Sequence, residues 1–277
     1  MKAQVLSLDG MKEKEIELPK CFEEEVRKDI IKKAFESEIS TLRTPYGSFE
    51  FAGKLVSASG KIKHRRRKWK TAYGKGISRV PRKIFSRRGT QFRWAGAFAS
   101  GTVGGREAHP PKPSKDWSRK INKKERIKAI RSAIAATGDA SNVASRYKTI
   151  KGKSLNLPIV IDSKINEIKK TKEIKEIISS ILNKISSSVI DIALRENKKV
   201  RAGKGKNRNR KYKISKGVLI VSSKEIKSGE GLSGLGVDFV TINKLNLRYL
   251  APSGVPGRLT IYTEDAINEM KNMEKLK

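Results

Sequence analysis

Residues 217–223 read GVLIVSS, four apolar side chains in a row between a glycine and two serines. A run this short, bounded by turn-forming residues, predicts a strand enclosed on both faces. Working outward, VDFVTI at 237–242 predicts a second strand, NKLNLRYL at 243–250 a short helix, and RLTIYT at 258–263 a third strand. Upstream, LPIVID at 157–162 predicts a further buried strand. Ile174, Ile177, Ile178, Ile181 and Ile185 recur at helical steps, and Val189 to Leu194 predicts another short helix. The last helix opens at Thr263, with Glu264 and Asp265 in its first turn, where the macrodipole favours acids. Strands alternating with helices over 155–277 predict an α/β fold, a single globular sandwich around a mainly parallel sheet.

The N-terminal side adds to the same unit. AQVLSL at 3–8 and KEIEL at 14–18 flank an Asp9-Gly10 turn dipeptide and predict a β-hairpin over 3–18. From Glu23, the positions Val26, Ile30, Ala34, Phe35, Ile39 and Leu42 mark one face of an amphipathic helix. Glu23, Glu24 and Glu25 read as its solvated first turn rather than as a metal site. Further on, Asn122 with Glu125 three residues later resembles a capping box. Ile127, Ile130, Ala133 and Ile134 give the helix that follows its buried stripe.

Between these patterned stretches lies a segment of another kind. The formal net charge is +35, and it is unevenly placed: −2 over residues 1–50, +16 over 51–106, and +21 over 107–277. Residues 51–106 contain no acid at all. Self-repulsion on that scale opposes compaction and calls for a polyanionic partner. The heart of it, KIKHRRRKWKTAYGKGISRVPRKIFSRRGTQFRW at 61–94, sets aromatic residues among cations. Trp69, Tyr73, Phe92 and Trp94 stand beside Lys68, Lys70, Lys75, Arg87, Arg88 and Arg93. Arginine pairs with phosphates and stacks on bases, and exposed rings take up splayed bases, so the pattern points to irregular RNA. Over about 65 residues no period of 2 or 3.6 holds, and there are too few aliphatic residues to form a core. The segment is therefore expected to be an irregular extension that takes its order from its partner. The domain reading is 1–44 as the hairpin and helix of the globular unit, 45–115 as the basic loop, and 116–277 as the rest of that unit. A second basic loop lies at 200–213.

Several chemistries are set aside on the residues. His64 and His109 have no Cys or His partner at ligand spacing, and Cys21 is the only thiol, so neither a metal site nor a cofactor is expected. G-x-S-x-G, the Walker spacing and G-x-G-x-x-G are all absent. Asp162 and Asp238, at strand ends, are the remaining candidates for catalysis and read better as caps or turn formers. No membrane span and no secretory leader are expected, because neither a long apolar run nor an apolar leader region is present.

Four segments, GTVGGREAHPPK at 101–112, INKKERIKAIRSAIAAT at 121–137, VRAGKGKNRNRKYK at 200–213 and LNLRYLAPSGVPGRLTIYTEDAI at 245–267, occur in order along the chain. Together they resemble the universal large-subunit ribosomal protein L-four family, in its archaeal and eukaryotic form. The resemblance implies a non-enzymatic structural constituent of the large ribosomal subunit, acting in the cytoplasmic ribosome as one copy among neighbouring ribosomal proteins. Its long loop would thread large-subunit ribosomal RNA to the wall of the peptide exit tunnel. It also implies loop-tip positions at Trp69, Lys70, Gly74, Lys75, Gly76 and Arg79. A second RNA-contacting loop would use Arg201, Lys204, Lys206, Arg208, Arg210 and Lys211. Candidate RNA contacts along the rest of the basic segment are Lys63, Arg65, Arg66, Arg67, Arg82 and Lys83, with Arg106 and His109 near its end. A different class, an RNA-modifying or RNA-processing enzyme that uses the arm as a grip, is the alternative reading.

Overall fold

The computed structural model describes residues 1–58, 66–67, 71–89, 91–147, 155–185, 190, 194, 199–213 and 215–275. In chain order the elements are β1 (Lys2–Leu6), β2 (Lys12–Glu17), α1 (Lys28–Thr41), β3 (Arg82–Arg88), β4 (Gln91–Gly96), α2 (Lys123–Gly138), α3 (Ala140–Arg146) and β5 (Ile159–Ile161). They continue with α4 (Thr171–Ile185), β6 (Lys199–Val200), β7 (Tyr212–Lys213), β8 (Leu219–Ser222), β9 (Asp238–Thr241), α5 (Leu247–Leu250), β10 (Thr260–Thr263) and α6 (Glu264–Lys275). The chain divides into two compact units, residues 1–42 with 118–277, and residues 43–117.

The first unit is built on a six-stranded sheet in the order β2-β1-β5-β10-β8-β9. Every neighbouring pair is parallel except β1 with β2, which form an antiparallel hairpin at one edge. The apolar run at 218–221 follows directly from this arrangement. Leu219 and Val221 face a cluster with Val160, Tyr262, Leu247 and Ile267, while Ile220 faces one with Ile161, Ile261, Ile174 and Ile178. Helices cover both faces, so the central strands are mostly apolar and their buried hydroxyls are hydrogen-bonded, as Tyr262 is with Thr137 and Thr260 is to the Arg258 carbonyl. The expected mainly parallel α/β sheet is what the structure shows.

Three local readings change. The first helix begins at Lys28 rather than Glu23. Residue 27 is held extended because the Arg27 N–H donates to Ser132 Oγ at 2.7 Å, while Ser132 Oγ donates to Glu25 O at 2.8 Å. This tertiary clamp delays the helix, so Asp29 is the acid in its first turn. Glu23 instead accepts from the N-terminal ammonium at 2.6 Å. Asn122 does sit at the N-cap of α2, but its side chain makes no capping bond, and Glu125 pairs with Lys33 at 3.0 Å. Of the expected stripe on α2, Ala133 and Ile134 are buried, whereas Ile127 and Ile130 are only half-buried; Ala129, Ser132 and Ala136 complete the buried face. Small side chains on that face let α2 pack closely on α1, which contributes Ala34 and Ile31 to the same core. The helix expected at 189–194 lies outside the described residues apart from Ile190 and Leu194.

In the second unit, β3 and β4 pair antiparallel around Gly89, whose φ of +55° suits a residue without a Cβ. Regular structure was not expected here. β3, RKIFSRR, carries no apolar/polar alternation, and in β4 the alternation is confined to Gln91, Phe92, Arg93 and Trp94; the cross-strand pairs set cations against a ring or a small residue, as in Arg87 with Phe92 and Lys83 with Ala95. Among the described residues of this unit only Thr71, Ala72 and Ala97 are buried.

Candidate nucleic-acid interface

In the basic unit cations stand over aromatic rings, of which Phe85 and Phe98 are exposed and Tyr73, Phe92 and Trp94 half-buried. The Arg79 guanidinium lies 4.1 Å from the Tyr73 ring centroid, and Arg82 lies 5.5 Å from that of Trp94. Phe92 and Trp94, on one face of β4, stack at 5.2 Å. Lys83 stands 5.2 Å from Phe85, and Arg106 stands 5.9 Å from Phe98. Each contact contributes about 0.5–1 kcal/mol at an exposed site, enough to bias a rotamer and too little to make a core.

Arg66 and Arg67 are exposed, with Arg67 in the left-handed region at φ +56°. Gly74 and Gly76, at φ +72° and +67°, bracket a turn that carries Lys75 into solvent. Arg87, Arg88 and Arg93 are exposed along the hairpin, and His109 is exposed near the base of the unit. Arg82 is partly committed, since it donates to Ser78 O and Oγ at 2.7 and 2.8 Å. Lys63, Arg65, Lys68, Trp69 and Lys70 lie outside the described residues.

The second basic loop is closed by the β6–β7 pair, Lys199 opposite Lys213 and Val200 opposite Tyr212. Lys204, Lys206, Arg208, Arg210 and Lys211 are exposed on it. Arg201 differs from them. Its Nε and Nη2 donate to the carbonyls of Arg210 and Tyr212 at 3.1 and 3.3 Å, so it ties the loop's two ends together. Gly205 makes room for this brace: a Cβ there would fall 2.8 Å from Arg201 Cδ.

Sequence reasoning missed Phe85, Phe98 and the base of the unit, where Arg43, Lys115 and Tyr46 gather around Trp117. The signal was present in TLRTPYGSF and KPSKDW, ring and cation interleaved, but it fell outside the most basic window.

The carboxylates weighed for catalysis are structural. Asp162 follows the C-terminal end of β5, caps the next turn by accepting from the Lys164 N–H, and pairs with Lys164 at 3.1 Å. Burial pushes its carboxyl up, but the hydrogen bonds from Lys164 outweigh this and hold it below the ordinary range. Asp238 opens β9, so in a parallel sheet it lies at the opposite end from Asp162. It pairs with the fully buried Arg258 at 2.7 Å and with Lys216 at 2.8 Å. Arg258 also donates to the carbonyls of Gly217, Val218 and Tyr249, joining the entry points of β8, β9 and β10. Burial draws its guanidinium below the ordinary value, against the pull of Asp238. Among the described residues there is no group of three or more potential metal ligands, and no helix is long and apolar enough to cross a membrane.

Comparison with known proteins gives one consistent result. A family model described as the ribosomal protein L4/L1 family matches residues 16–273. A large ribosomal subunit protein uL4 from Nanoarchaeum equitans is 41% identical over 276 residues, covering 98% of both chains. Those of Methanocaldococcus jannaschii and Archaeoglobus fulgidus are each 40% identical, the first over 98% of both chains and the second over 96% of this chain and 97% of its own.

Proposed function

The chain belongs to the ribosomal protein L4/L1 family, and from that premise we propose that it binds and organises large-subunit ribosomal RNA during assembly. Membership makes it a structural constituent of the large ribosomal subunit rather than an enzyme, with ribosomal RNA and neighbouring ribosomal proteins as its partners. In this reading it works in the cytoplasmic ribosome, and residues 45–115 form the extension that reaches the wall of the peptide exit tunnel. The observation that carries the reading is a family match running across both units, over the basic segment as well as the sheet.

The physical logic supports it. Residues 51–106 hold 16 Lys and Arg with no acid, and such a charge is neutralised well only by closely spaced phosphates. The second basic loop supplies a further set of cations on the sheet unit. Lys63, Arg65, Arg66, Arg67, Lys68 and Lys70 would neutralise phosphates on the extension, and Trp69, Tyr73 and Trp94 would receive unstacked bases.

The test is recovery at unit stoichiometry with large subunits sedimented in high salt, combined with limited proteolysis. Residues 43–117 should be cut rapidly in the free protein and be protected in the assembled subunit. Loss from the subunit at moderate salt, or equal cleavage in both states, would overturn the reading.

A further inference from the structure

We propose that the cleft at the base of the basic unit is a seat for a single unpaired RNA nucleotide, with its base on the Tyr46 ring and its phosphates at Lys112 and Lys115. The inference rests on the RNA-binding reading above and deepens it, by giving Tyr46, Lys112 and Lys115, none of them among the candidate contacts, a specific ligand.

The seat is a stack built in advance. Tyr46 and Trp117 lie nearly parallel, with centroids 5.8 Å apart and planes 19° from each other. Trp117 is already surrounded: the Arg43 guanidinium lies 3.8 Å from its centroid and Lys115 Nζ lies 4.3 Å from it. Tyr46, by contrast, is 53% exposed. Arg43 also stands 5.7 Å from its centroid, so the exposed part of the ring combines a π-surface with a nearby cation, which is what a splayed base with its phosphate requires.

The walls are fastened to each other. The Ser48 N–H donates to Pro111 O at 3.3 Å, and a Cβ on Gly47 would fall 2.5 Å from Pro113 Cδ, so only glycine permits this approach. Three prolines, Pro110, Pro111 and Pro113, stiffen the opposite side and reduce the entropy lost on binding. The cavity between them is about 530 Å³, within the range of small-ligand sites.

Its chemistry selects one ligand class. The lining has no carboxylate, whereas Lys112 and Lys115 supply two cations beside the ring. An aliphatic peptide side chain would leave these cations unused. A nucleotide brings a π-face and an anion together, and only an unpaired base has that face free.

Binding of the full-length protein to transcribed large-subunit ribosomal RNA, measured across a salt series, tests the seat. Tyr46→Leu should weaken binding about 5- to 150-fold with the salt slope unchanged, because stacking displaces no counterion. Tyr46→Phe should stay within about twofold of the parent. Lys112→Gln with Lys115→Gln should lower the logarithmic slope by about 1.4. A photoreactive benzoylphenylalanine at Tyr46 should crosslink to one nucleotide that is unpaired in the folded RNA. Equal affinity of Tyr46→Leu and parent, equal loss in the Phe and Leu variants, or a crosslink to a protein or to a paired nucleotide would each overturn the seat. Failure of the parent itself to bind this RNA with a salt-dependent affinity would overturn the RNA reading instead.

Discussion

Tyr262 and Tyr46 show how the two units differ. Tyr262 is fully buried between the sheet and its helices, packs edge-on against Phe22 at 5.3 Å, and shares its hydroxyl with Thr137 at 2.8 Å. Burial pushes that phenol well above its ordinary value. Tyr46 is half in solvent, held by one indole and a guanidinium. The same contrast runs through both units. In the sheet, Ile, Val and Leu are enclosed and most cations lie at the surface. Over 43–117 the large apolar side chains Phe49, Phe51, Leu55, Phe85 and Val103 are exposed, and the described buried residues are no larger than threonine. One unit is stabilised by its own interior. The other has surface chemistry without an interior to match, which suits a segment whose stability comes from what it binds.

If this contrast holds, changes in one unit should leave the other's property untouched. The largest effect belongs to Arg258→Met, which leaves Asp238 half-buried with only the partly exposed Lys216 as a partner. Chemical denaturation should report a loss of about 3–5 kcal/mol, with RNA affinity below the melting point unchanged. Ile178→Ala opens a cavity under the sheet and should lower stability by about 2–5 kcal/mol, again without changing the salt slope. A fall in slope in either variant would mean that the units are energetically coupled.

The triple change Arg65→Ala, Arg66→Ala and Arg67→Ala should do the reverse. It should leave the cooperative melting of the sheet intact and reduce the salt slope of RNA binding by about 2–3. Arg201 sharpens the comparison, because it sits on the sheet unit yet belongs to a basic loop. Arg201→Lys keeps the charge and loses the forked donation to Arg210 and Tyr212. The slope should then fall by more than one, as several loop cations lose their placement together; an unchanged slope would make Arg201 a simple phosphate contact. Gly205→Ala, which removes no charge, should copy the loss.

The smallest effect is at Asp139, which caps α3 by accepting from the Ser141 N–H at 2.9 Å. Burial raises its carboxyl pKa, but hydrogen bonds from Ser141 and Asn142 outweigh this and depress it overall. A depressed carboxyl contributes fully above its unfolded value, and the contribution disappears as pH falls through the folded one. Asp139→Ala should therefore lower stability by about 1 kcal/mol at neutral pH. The two proteins should converge as acid protonates the group, as denaturation curves across pH would show.

The sheet was legible because strands covered on both faces leave a plain mark, as in LIVS at 219–222 and IVI at 159–161. The basic segment was legible as a phosphate partner because charge sums along a chain whatever its conformation. Its hairpin was not legible, since RKIFSRR has no apolar period and the alternation in QFRW runs for only four residues. Nor was the start of α1, which depends on Ser132 more than a hundred residues away. Arg201 passed for one more loop cation, because a sequence records a guanidinium and not the carbonyls it ties.

The sequence by itself determined the α/β sheet, the position of the basic segment and the kind of partner it needs. Composition and short-range period are local quantities, readable without contacts. Only the tertiary structure decided that Asp162 and Asp238 stand at opposite ends of the sheet, that Arg201 is a brace, and that Tyr46 and Trp117 meet. Those facts depend on residues far apart in the chain being brought within hydrogen-bonding or stacking distance, and no local pattern encodes that distance.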